Sequence, residues 1–195
     1  RWVKAPGDKL FNVNRKNLGT VPIIAEDLGI ITKEVAELRD KYEFPGIRIM
    51  QFAFGPDGEK RFLPHNFDKN CVVHTGSHDN DTTRGFFDKE KQGNTEAFRH
   101  AQKYLDYYSE DMTFQMIKAA YSSVANTVVI PMQDMLNLGT EARMNFPGKL
   151  GGCWAWRFTW DMIPHNLAST YAELAKLYER PKAAEADFSI EVEEK

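Results

Sequence analysis

VPIIAEDLG, residues 21 to 29, leads five apolar residues into two adjacent carboxylates and then a glycine. Val21, Pro22, Ile23, Ile24 and Ala25 do not alternate with polar residues, which is the pattern of a short strand covered on both faces. Glu26 and Asp27 stand at its C-terminal end. An ionised carboxylate is costly there unless it is paired, hydrated or used in chemistry. The pair therefore reads either as a solvated loop or as the reactive end of a buried strand.

Three further runs repeat the arrangement: GIRIMQFAF at 46 to 54, NCVVHTG at 70 to 76 and NTVVIPM at 126 to 132. They are followed by Gly55-Pro56-Asp57, by His78-Asp79-Asn80-Asp81 and by Gln133-Asp134. Pro131 is expected near the end of the last run, because proline donates no ladder hydrogen bond. Between the runs lie helical patterns. Thr32 is placed as the N-cap of a helix whose Val35, Leu38 and Tyr42 share one face, and Pro45-Gly46 stops it. Residues 95 to 108, 111 to 125 and about 165 to 179 are three more helical candidates. Buried strands separated mostly by helices predict parallel βα units and an α/β fold. In such sheets reactive groups gather beyond the C-terminal strand ends, where both acidic clusters stand.

Composition is compatible with this reading. The net charge of -3 comes without a Lys/Arg block, which argues against nucleic acid or an anionic membrane as partner. No stretch reaches the roughly 18 apolar residues of a membrane span, and Arg1-Trp2-Val3-Lys4 lacks the apolar centre of a signal peptide. A cytoplasmic location is expected, or a plastid one in a plant or alga. Cys71 and Cys153 are expected as free thiols. The chain starts at Arg1 and its first methionine is Met50, so it reads as part of a longer protein. Residues 1 to 180 are expected to fold, and the acid-rich stretch from 181 to 195 to form a mobile tail.

HTGSHDND, residues 74 to 81, is the densest polar cluster. Asp79 or Asp81 could simply cap the following turn. His74, His78 and Asp79 are also plausible metal ligands, which keeps a metal-dependent hydrolase open. Paired carboxylates suit glycosidic chemistry better: one protonates the leaving oxygen while another attacks the anomeric carbon or stabilises the oxocarbenium-like transition state. Sugars also need aromatic platforms. GGCWAWRFTW, residues 151 to 160, carries three of the four tryptophans, and QFAF, 51 to 54, two phenylalanines. The alternative for each is core packing.

PIIAEDLG, PGIRIMQFAFG, LPHNF, HTGSHDNDTT, IPMQDMLNLG, EARMNFPG and GGCWAWR together resemble the amylomaltases, the 4-alpha-glucanotransferases of glycoside hydrolase family 77. The blocks come in the family's order from about Arg1 to Tyr178. The resemblance implies the second half, strands 5 to 8, of a (β/α)8 TIM barrel, with the first half absent from this chain and residues 1 to 180 forming the catalytic half. VPIIA, GIRIMQF, CVVHTG and TVVIPM would be the fifth to eighth strands.

It further implies Glu26 as general acid/base and Asp79 as transition-state stabiliser. The nucleophilic aspartate, in an Arg-x-Asp-His segment, is absent from the chain. His78, Phe52 and Asn145 are implied as sugar contacts, and Asp27 and Asn80, beside the two catalytic carboxylates, complete the expected set. Ser77 and His74 depart from the family's usual threonine and tyrosine. The implied reaction is retaining transfer of an α-1,4-glucan segment to the 4-hydroxyl of glucose or another glucan. It needs no metal or organic cofactor, and the missing N-terminal half is the implied partner. A glucan-binding fragment without chemistry is the alternative.

Overall fold

The computed structural model describes residues 3–55 and 58–180, so the expected tail at 181 to 195 lies outside the described residues. Two helices, α1 (Gly7–Leu18) and α2 (Lys33–Lys41), precede three short strands, β1 (Gly46–Ile49), β2 (Cys71–His74) and β3 (Thr127–Val129). The strands form a parallel sheet in the order β1-β2-β3. Ile49 pairs with His74 and His74 with Val129, so the C-terminal ends of all three are level.

The expected parallel α/β arrangement is present, but VPIIA is not a strand. A single parallel bridge joins Ala25 to Gly46, supported by the Ala25 N–H donating to the Pro45 carbonyl at 2.9 Å. Residues along the run are alternately half-buried and exposed, and Ile24 is 54% exposed. Val129 at the end of β3 is exposed as well, whereas Cys71, Val72 and Val73 of β2 are buried. β1 and β2 have the two-sided cover that an unalternating sequence predicts, whereas the bridge segment and β3 do not. An apolar run does not report how many neighbours it will have.

Apolar length overstates strand length for a related reason. GIRIMQFAF is extended only to Ile49 and then coils into a 3-10 turn, Met50–Ala53. The coil drives Met50, Ala53 and Phe54 into the core beside Phe62, Val73 and Phe87. The crossover from β1 to β2 continues through two more 3-10 turns, Lys60–Phe62 and Pro64–Asn66, in place of an α-helix.

The next crossover carries a helical layer, α3 (Thr83–Gln92), α4 (Glu96–Leu105) and α5 (Met112–Ser122). Each is capped by a side chain that accepts from the N–H three residues on: Thr82 from Gly85, Thr95 from Phe98, and Asp111 from Phe114. Met116, Ile117 and Ala120 of α5 are fully buried. Pro131 precedes a short helix, α6 (Met132–Met135), and a last helix, α7 (Leu167–Leu177), presses Leu174 inward. Thr32 does sit at the start of α2, without a side-chain cap, but Val35 is exposed and only Tyr42 of its expected face is buried.

Asp27 ties the bridge segment to the sheet. It accepts from the Ile47 N–H at 2.8 Å, from Arg48 Nη1 at 2.9 Å and from Arg39 Nη1. Burial opposes ionisation of its carboxyl, but the Arg48 and Ile47 hydrogen bonds and the charge of Arg48, with Arg39 added, outweigh it and hold the pKa below the usual value. Gly46 leaves the space, since a Cβ there would stand 2.5 Å from Asp27 Oδ2. Both cysteines are free thiols: Cys71 is buried on β2, where burial pushes its pKa up to about 11, and Cys153 is partly exposed. No helix among the described residues is long and apolar enough to cross a membrane.

Candidate active site

Beyond the level C-terminal ends of the strands opens a cavity of about 390 Å³. Its base is made by Ile47, Ile49, His74 and Val129, and its rim by Glu26, the loop from Gly76 to Thr82, and Arg143, Met144 and Trp154. Glu26 and Asp79, which leave different segments of the sheet, line the same space.

Glu26 is exposed and, among the described residues, makes no hydrogen bond or ion pair. Asp79 is held. Its Oδ1 accepts from Asn145 Nδ2 at 2.6 Å and lies 3.4 Å from His78 Nε2, while its carbonyl accepts from Arg143 Nη2 at 2.7 Å. Asn80 lines the cavity too, but its Oδ1 accepts from the Ser77 N–H at 2.9 Å and Ser77 Oγ at 2.7 Å. That closed turn pushes His78 and Asp79 outward together.

The loop is fastened from beneath by Asp134, which is 2% exposed. Its carboxylate accepts from Thr75 Oγ1 at 2.5 Å, from the Thr83 N–H at 2.8 Å and from Thr83 Oγ1 at 2.7 Å. One side chain thus grips the two ends of the 76–82 loop. Burial pushes the Asp134 carboxyl upward against these hydrogen bonds. His74, at the end of β2, has its pKa lowered by burial, which keeps the imidazole neutral. Gln51 Nε2 donates to the Asp81 carbonyl at 2.8 Å across Gly76, whose missing side chain makes room for it.

Trp154 supplies an aromatic wall. Its ring lies 5.0 Å from that of His78 at an interplanar angle of 38°, and it is 54% exposed. The backbone at Trp154 has φ +62°, in the left-handed region that a bulky side chain occupies at a cost of about 1–3 kcal/mol. Gly151 and Gly152, both also left-handed, lead into it, and the Trp154 N–H donates to the Met144 carbonyl at 2.7 Å.

Of the residues expected in the site, Glu26, His78, Asp79 and Asn80 converge on the cavity. Asn145 reaches it through Asp79. Asp27 does not: its oxygens point to Arg48, Arg39 and Ile47, away from any sugar-accessible surface. Phe52 stands outside the lining, 38% exposed, with its ring edge-on to Phe62 at 5.2 Å. His74, His78 and Asp79 border one space, yet no three His, Cys, Asp or Glu side chains among the described residues are gathered as a metal site. Sequence reasoning missed Arg143 and the supporting role of Asp134. The position of Asp134 at a strand end was visible, but its burial depends on α3 and the loop packing over it.

The family model described as 4-alpha-glucanotransferase, of glycoside hydrolase family 77, matches residues 1–163. The chain belongs to glycoside hydrolase family 77. Among its family 77 relatives, the 4-alpha-glucanotransferase of Clostridium butyricum is 45% identical over 92% of this chain and 37% of its own length. The chloroplastic/amyloplastic 4-alpha-glucanotransferase of Arabidopsis thaliana is also 45% identical, over 92% of this chain and 31% of its own. The chain therefore spans about a third of the length of these curated relatives. The amylomaltase of Streptococcus agalactiae in complex with acarbose superposes with a TM-score of 0.85 at 33% identity, covering 93% of this chain and 37% of that one. The α/β architecture described above is thus that of a family 77 enzyme.

Proposed function

We propose that this chain carries the acid/base side of a 4-alpha-glucanotransferase active site. In this reading the bridge segment and β1, β2 and β3 occupy the places of the fifth to eighth strands of a (β/α)8 barrel. Glu26 protonates the leaving glycosidic oxygen, and an aspartate supplied from outside residues 1 to 195 attacks the anomeric carbon. Glu26 then takes the proton of the 4-hydroxyl of an acceptor glucan, which displaces the aspartate with retention. Asp79, oriented by Asn145, accepts hydrogen bonds from ring hydroxyls that strengthen as the sugar flattens, and His78 and Trp154 contact the same sugar. The substrate is an α-1,4-glucan or maltooligosaccharide, the partner is the remainder of the barrel, and the compartment is the cytoplasm or a plastid.

The observation that carries this is the convergence of an unpartnered Glu26 and a fixed Asp79 on one sugar-sized cavity. Glu26→Gln in the enzyme containing this chain should lower transfer from maltotriose by about 10²–10⁴-fold with the melting temperature unchanged. Near-normal transfer would overturn the assignment. Maltooligosaccharide binding without transfer by the complete, unmutated enzyme would identify a binding module instead.

A further inference from the structure

The polar side chains that line the cavity divide by whether the fold already satisfies them. Asp79 accepts from Asn145, Asn80 from Ser77, Asp81 from Thr140, and Asp134 from Thr75 and Thr83. Arg143 and Gln133 donate to backbone carbonyls, and His78 lies against Asp79. Of the titratable and amide groups in the lining, two are left with no hydrogen bond or ion pair among the described residues: Glu26 and His74. Glu26 is the proposed acid/base. His74 has no role in that scheme.

Its place in the sheet makes the free imidazole unusual. Cys71 and Val73 of β2 turn into the core, so the alternation of a strand sends Val72 and His74 to the opposite face. On that face Ile49, His74 and Val129 form one row in register across the three strands, and all three line the cavity. An aliphatic side chain in the middle of this row would pack at no polar cost. Buried polar groups are as a rule hydrogen-bonded. The half-buried His74 gets no such bond from the residues described around it, and its ring borders the cavity, where an occupant can supply one.

The chemistry of the ring narrows what that occupant is. Burial lowers the His74 pKa, which leaves the imidazole neutral near neutrality. A neutral imidazole carries one N–H donor and one acceptor nitrogen, and no described neighbour fixes which is which. A sugar hydroxyl is donor and acceptor in the same way. A lysine or arginine at the floor would repel the positive charge of an oxocarbenium-like transition state, whereas a neutral ring does not.

We propose that His74 is a further substrate-contacting residue, hydrogen-bonded from the cavity floor to a hydroxyl of the sugar bound between Glu26 and Asp79. The sugar as ligand rests on the transferase reading given above; the unpartnered imidazole at the floor does not.

The test uses the complete enzyme in a Glu26→Gln background, which holds substrate without turning it over. Maltotriose binding is measured by calorimetry with and without His74→Phe, which keeps a ring and removes both nitrogens. Binding should weaken roughly three- to tenfold, the range of one neutral hydrogen bond. His74→Gln, which keeps a donor and an acceptor, should recover part of the loss. In the wild-type enzyme labelled with 15N-histidine, the imidazole signals missing from either variant should shift when maltotriose is added, which reports on the ring nitrogens themselves. Binding changed by less than about twofold, equal losses in the two variants, or imidazole signals unmoved by the sugar overturns the contact. If His74→Phe does not fold, His74→Gln assigns the signals and their response decides. Loss of the contact with transfer still dependent on Glu26 removes only the role of His74. Retention of transfer by Glu26→Gln removes only the acid/base assignment, and the imidazole signals then decide the contact alone.

Discussion

Glu26 stands on a segment joined to the sheet by one bridge, next to an aspartate whose side chain ties that segment to Ile47, Arg48 and Arg39. Asp79 is itself gripped by Asn145, while Asp134 and Arg143 fix the loop around it. The contrast matches what the proposed transferase reading asks of each carboxylate. A proton donor and acceptor must exchange protons with successive oxygens, so its own oxygens have to be free of fixed partners. A group that acts by accepting hydrogen bonds from a flattening sugar works best when its orientation is set beforehand. Around Glu26 the rigidity is moved one residue along the chain, to Asp27; around Asp79 it is applied directly.

The largest expected effect comes from removing the displaced rigidity. Asp27→Ala takes from buried Arg48 its nearer carboxylate and leaves it only the exposed Asp68 at 3.3 Å, and should cost about 3 kcal/mol in denaturant unfolding. A loss below about 1 kcal/mol would mean that the bridge segment is held by something other than this carboxylate. Asp134→Ala comes next, at about 3 kcal/mol, since Thr75 and Thr83 lose their buried acceptor. Asp134→Asn, which keeps one acceptor oxygen, should cost less; equal losses would show that packing and not hydrogen bonding fastens the 76–82 loop.

Asn145→Ala should leave stability within about 1 kcal/mol, because the site is open to water, yet reduce transfer roughly tenfold through the lost orientation of Asp79. If transfer is unchanged, Asp79 does not need to be held and the contrast with Glu26 has no catalytic meaning.

The smallest effect is on pH dependence. The folded-state pKa of His74 is depressed by burial, so its contribution to stability is present above the unfolded value of about 6.5 and is lost as pH falls through the lower folded value. From this group alone stability should decline between pH 7 and 5 by no more than about 1.4 kcal/mol per pH unit. His74→Gln should flatten thermal melts across that range. Asp27, also depressed, acts in the same direction at more acidic pH.

Much of the site was legible because strand-end position is a one-dimensional property. An apolar run followed by HDND or AED places its carboxylates at a rim whatever the details of pairing, and Glu26 and Asp79 indeed share a cavity. What was not legible depends on neighbours remote in sequence. Asp27 looks identical to Glu26 until Arg39 and Arg48 are folded against it. Phe52 lies in an apolar run that reads as strand, but the chain coils after Ile49, and the ring turns to Phe62. α1 carries no buried residue, so its weak apolar stripe gave no signal, and α3 begins at Thr83, directly after the polar cluster that reads as loop.

The two thiols differ sharply in reactivity, and this provides an optical handle. Cys71 is sealed in β2 with a pKa of about 11 and should resist alkylation at neutral pH, whereas Cys153 is accessible and immediately precedes Trp154. Within residues 1 to 195 a maleimide fluorophore would therefore attach at Cys153, beside the indole that walls the candidate cavity. In the proposed transferase, occupancy by sugar could then be followed as a change in emission, without engineering a new cysteine into these residues.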